Sequence, residues 1–158
     1  MAKSSRRVAA QSSFELLVTL AFGLAILLPL VVLAFIQLAS ASTSLTSVEA
    51  QQAANKLSSV ATMIGSEGPP SRQVAQIQMP SGVRFVYVGN MNNSVGHEII
   101  IVISSPTGLS YVTAYTPANV SGQLGGITAT GTYLVNVTAT SSCPSKPSVA
   151  CVYMSSRV

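Results

Sequence analysis

Glu15 is the residue of this chain whose surroundings most demand a partner. It stands immediately before residues 16–36, an uncharged apolar run of about 20 residues, the length that crosses the hydrocarbon core of a bilayer. A carboxylate at the edge of such a segment is costly unless something compensates it, so by default it marks a functional position. Elsewhere the residue types that do chemistry are few. His97 is the only histidine, and its neighbour Glu98 is expected on the opposite face of a strand, which leaves a Ser-His-acid triad no spacing to rest on. Glu98 is also the only carboxylate in 69–158, so paired-carboxylate catalysis there is excluded by count. The Gly122-Gln123-Leu124-Gly125-Gly126 stretch lacks the lysine of a phosphate loop and reads as a turn. A metal site would have to join His97 to two distant cysteines. No catalytic residue, cofactor or metal is expected, and the chain reads as something other than an enzyme.

Two further residue sets bear on where the protein works. Cys143 and Cys151 close a short loop containing Pro144 and Pro147; in an exported domain they read as a disulfide, two reduced buried thiols being the other reading. Three Asn-x-Ser/Thr sequons begin at Asn92, Asn119 and Asn136. All three are expected glycan sites, Asn92 and Asn119 in loop-like segments and Asn136 within an expected strand.

The elements that must position these residues divide the chain into three parts. Residues 1–10 form a short basic leader, 11–68 a long helix, and 69–158 a β-rich extracellular domain. Apolar residues continue past the greasy run at Leu38, Leu45, Val48, Leu57, Val60 and Ile64, with alanines between them, at the threes, fours and sevens of an amphipathic helix. No Gly or Pro occurs between Pro29 and Gly65, so one helix is expected over about 13–64, roughly 75 Å long. Pro29 should kink it or, on the other reading, is simply tolerated as prolines are in membrane helices. Gly65, Gly68, Pro69 and Pro70 end it. Six short runs rich in β-branched and aromatic residues follow, at 74–79, 83–88, 98–103, 109–115, 133–140 and 149–154, separated by Gly, Pro and Asn turns. The fold class is therefore α+β: a long N-terminal helix, then a small antiparallel sheet or sandwich. The unalternating run from Ile99 to Ile103 reads as a strand covered on both faces.

Charge supports an exported, anchored chain. Only 8% of the residues are charged, against about 25% in ordinary soluble domains. Of the eight Lys and Arg, three (Lys3, Arg6, Arg7) lie ahead of the apolar run, where they read as a cytoplasmic flank with the rest of the chain outside. Beyond them no basic patch interleaved with aromatics remains, so nucleic acid is not an expected partner. Ordinary signal cleavage after Ala39-Ser40-Ala41 stays open as a second reading of the N-terminus.

The arrangement Gln11-x-Ser13-x-Glu15 followed by a long apolar helix, behind a basic leader ending in Ala10, resembles the archaeal type IV pilins with class III signal peptides. Leu20 stands one place after the leucine of the usual pattern, where Thr19 sits, and Val8 and Ala9 separate Arg6-Arg7 from Ala10. The resemblance covers the leader and the helix to about Gly68. It implies that a prepilin-peptidase-like enzyme cuts between Ala10 and Gln11. It further implies that Glu15 pairs with the freed Gln11 amine of a neighbouring subunit during assembly by the pilus machinery. The helix would rest in the membrane first and lie in the core of a homo-oligomeric helical filament afterwards. The expected role is a structural subunit of an extracellular, adhesive filament. The alternatives are a membrane-anchored binding protein or minor pilin, and an archaellum subunit serving motility.

Overall fold

The computed structural model describes residues 3–92, 94–105 and 108–157 of the chain, with side chains from Phe14 onward and none for Arg157. One helix, α1 (Lys3–Glu67), precedes six strands: β1 (Arg72–Met79), β2 (Val83–Gly89), β3 (Gly96–Ser105), β4 (Gly108–Gln123), β5 (Gly131–Thr140) and β6 (Cys151–Arg157). The fold is α+β. The helix is longer than the sequence pattern suggested, starting inside the basic leader and passing Pro29 without a break in its helical assignment. It stops where Gly68 takes up a left-handed backbone (φ 72°) and donates its N–H to the Ile64 carbonyl at 3.1 Å, a glycine C-cap.

The strands form one sheet in the order β1-β5-β6-β4-β3-β2. All neighbours are antiparallel except β4 and β6, which run parallel. That exception arises because the last strand slots between β5 and β4, closing the two halves of the sheet. β4 is far longer than its expected run. Its first part pairs with β3, from Gly108 opposite Ser105 to Tyr115 opposite Glu98, and after an interruption that pairing resumes at Val120 opposite Gly96. Its last part, from Val120 to Gln123, pairs with β6. Pro117, which has no N–H to give a ladder, sits in that interruption just ahead of the pairing with β6, where a proline is tolerated within a strand.

The core lies between one sheet face and the second half of α1. Ala50, Ala53, Ala54, Leu57, Ala61 and Ile64 are the helix's buried residues, and they join Ile77, Val86, Ile99, Ile101, Val135, Val137 and Met154 of the sheet in one cluster. Their i, i+3, i+4, i+7 spacing is helical, but the buried stripe differs from the expected one. Leu45 and Val48 are 65% and 51% exposed, and alanines make most of the contact. The sheet face is already filled by β-branched side chains and Met154, so the helix approaches it through small residues. Polar side chains of the same helix tie it to β4: Gln51 Nε2 donates to the Thr113 carbonyl at 3.2 Å, Ser58 Oγ to the Tyr115 carbonyl, and the Thr62 and Thr116 hydroxyls meet at 3.2 Å. The first two supply donors to carbonyls on β4 upstream of its pairing with β6, so helix side chains satisfy those two acceptors of the strand.

Contacts divide the chain into two units, Met1–Ser42 and Thr43–Val158. The second half of α1 therefore belongs with the sheet in one compact unit.

Candidate functional site

In the first unit, every residue from 14 to 42 is exposed. Leu30, Val31, Val32 and Leu33, at 57%, 50%, 55% and 54%, are consecutive, and four consecutive helical positions sweep most of the circumference. The segment is therefore apolar on all sides, as helices buried all round or spanning a bilayer are. By length and composition α1 is apolar enough to cross a membrane. Two polar side chains interrupt its N-terminal part, and they differ in kind. The Thr19 hydroxyl lies 2.9 Å from the Leu16 carbonyl and 3.0 Å from that of Glu15, so its donor is satisfied by its own helix. The Glu15 carboxylate is exposed and, among the described residues, has neither a hydrogen bond nor an ion pair. Ala10 and Gln11 are part of the helical backbone, but their side chains lie outside the described set; Gln11 stands one turn ahead of Glu15.

In the second unit, Cys143 and Cys151 form a disulfide with Cα atoms 5.4 Å apart. It holds the β5–β6 connection against the sheet, where Ser145 Oγ meets the buried Ser121 hydroxyl at 2.8 Å. The three sequons sit in three different settings. Asn92 is exposed on the β2–β3 turn, which Asn90 organises by accepting the N–H groups of Asn92 and Ser94. Asn119, expected in a loop, lies instead within β4; it is half-buried and donates to the Ala150 carbonyl at 3.4 Å. The strand continues there because β6 offers it a second partner, which a reading of local turn signals does not see. Asn136 lies in β5, between β1 and β6, with its side-chain carbonyl buried.

His97 and Glu98 were expected on opposite faces. A register irregularity between Gly96 and Glu98 interrupts the alternation, and the His97 ring comes within 6.0 Å of Tyr115, the residue paired with Glu98. Among the described residues His97 has no hydrogen bond to a hydroxyl. A depression of about 310 Å³ beside it is lined by Ser94, Asn119, Ser145 and Lys146 among others.

One feature of the sheet was not anticipated from the pattern. On the face turned away from α1, the rows Phe85–Val102–Tyr111 and Tyr87–Ile100–Thr113 run across β2, β3 and β4. Ile100 and Val102 are buried beneath this face while Phe85, Tyr111 and Tyr115 are 52%, 54% and 68% exposed. The signal was present in the period-two spacing of Phe85 with Tyr87 and of Tyr111 with Tyr115. Compared with protein families, curated proteins and solved structures, the chain matches none.

Proposed function

We propose that this chain is a structural subunit of an extracellular filament of the archaeal type IV pilus kind, serving surface adhesion. The observation that carries the reading is Glu15, whose carboxylate has no partner among the described residues, on a helix segment exposed and apolar on all sides. That segment needs burial around its whole circumference. A bilayer provides it before assembly, and a bundle of identical helices provides it afterwards, in head-to-tail contacts that do not close into a ring. Cleavage between Ala10 and Gln11 by a prepilin-peptidase-like enzyme removes Lys3, Arg6 and Arg7 and creates an amine one turn from Glu15. In the bundle, the Gln11 amine of one subunit pairs with Glu15 of another, which neutralises both charges and sets the axial register between helices. Separating such a desolvated pair costs about 3–5 kcal/mol, chiefly by stranding one charge.

The test is electron microscopy of material sheared from the cell surface. Thin filaments containing this chain support the proposal; its recovery solely from the membrane fraction contradicts it. The span-like character of α1 also favours a second reading, a membrane-anchored binding protein or minor filament component, and recovery from the membrane is what that reading expects. An archaellum subunit shares the same assembly logic and separates from the first reading by loss of swimming when the chain is deleted.

A further inference from the structure

We infer that the exposed aromatic face of β2, β3 and β4 is a self-association surface, on which a second copy of this chain docks face to face. Phe85, Tyr87, Leu109, Tyr111 and Tyr115 lie on it above the buried Ile100 and Val102. Four of the five are more than half exposed. At about 150–250 Å² per large side chain, the face presents roughly 500 Å² of apolar surface. That is near the upper end of the largest patch a monomer ordinarily shows, about 300–600 Å². It falls short of the roughly 800 Å² per partner of a standard stable interface. The pairing is therefore transient between single copies and effective where many copies are arrayed.

The charges at its two ends identify the occupant. Arg84 lies beside the Ile103/Val102 end of β3, at the register irregularity of β2, and Glu98 lies at the other end of β3, opposite Tyr115. They are about 15 Å apart along the strand, and neither is ion-paired with another described residue. When two such faces are stacked about a two-fold axis lying between them and running across the strands, the ends of the strands exchange. Arg84 of each copy then falls opposite Glu98 of the other, while the aromatic rows meet in the middle. The surface is self-complementary in charge as well as in polarity. This pairing does not depend on the filament reading, since any array of the chain displays it.

The test uses the full chain reconstituted into phosphatidylcholine vesicles, with clumping followed by turbidity at pH 8 and low salt. Vesicles carrying the natural chain clump. Vesicles carrying Arg84→Glu, or those carrying Glu98→Arg, lose clumping, because each symmetric contact now sets like charges together twice. Mixing the two variant populations restores it, because both cross-pairs again have opposite signs. Circular dichroism unchanged in both variants keeps misfolding out of the result. The inference is overturned by absence of clumping with the natural chain, by clumping indifferent to the charge changes, or by a mixture that stays dispersed. Clumping only after addition of a soluble polysaccharide also overturns it, and assigns the aromatic face to sugar rings. Failure of the filament reading shows separately, as absence of filaments from sheared cells.

Discussion

A carboxylate and a hydroxyl four residues apart on one greasy helix have opposite fates, because only one can be satisfied by its own backbone. Thr19 lies close to carbonyls one turn back, so bilayer and bundle both accept it cheaply. Thr19→Leu is accordingly expected to leave filament yield unchanged, as counted on electron micrographs. Glu15 has no such recourse. Glu15→Ala should leave cleavage of the leader intact and abolish filaments, with processed chain accumulating in the membrane fraction; filaments at the natural yield would contradict the pairing with Gln11. A different residue-scale contrast separates the sequons. Peptide mass spectrometry of the native protein should find a glycan on Asn92, exposed on its turn, and an unmodified Asn136, whose side-chain carbonyl is buried within the sheet.

Among the elements, α1 and the sheet were legible to different depths. Consecutive uncharged apolar residues define the first half of the helix, and the β-branched runs between glycines define all six strands. The buried stripe of the second half was harder to see, since leucine and valine mark an apolar stripe more loudly than alanine does. Leu45 and Val48 point to solvent while Ala50, Ala53, Ala54 and Ala61 make the contact. The length of β4 and the interposition of β6 are long-range matters, decided by which strand arrives last, and no local signal at Pro117 or Asn119 encodes them. The alanine contact has a consequence. Ala54→Leu inserts bulk into a fully buried contact and should destabilise the folded unit by about 1–3 kcal/mol. Leu57→Ala leaves a cavity and should cost about 2–5 kcal/mol. Both are measurable as shifts in thermal unfolding of the full chain in detergent. Replacing Cys143 and Cys151 together by serine removes a cross-link over a sequence separation of 8 and should cost about 2–3 kcal/mol in the same assay.

For the whole molecule the governing quantity is the scarcity of charge. Glu49, Glu67 and Glu98 are exposed and none forms an ion pair with another described residue. The same poverty of charge leaves apolar burial, in membrane or filament, to organise the N-terminal half. Everything proposed about that half turns on one bond, between Ala10 and Gln11. The most direct measurement is therefore the N-terminal residue of the chain recovered from the cell surface. Gln11 is the result predicted, since only then does the amine exist that Glu15 needs. An intact Met1, the mark of an uncleaved anchor, or a start near Ser42, the mark of ordinary secretion without the apolar helix, would contradict the account.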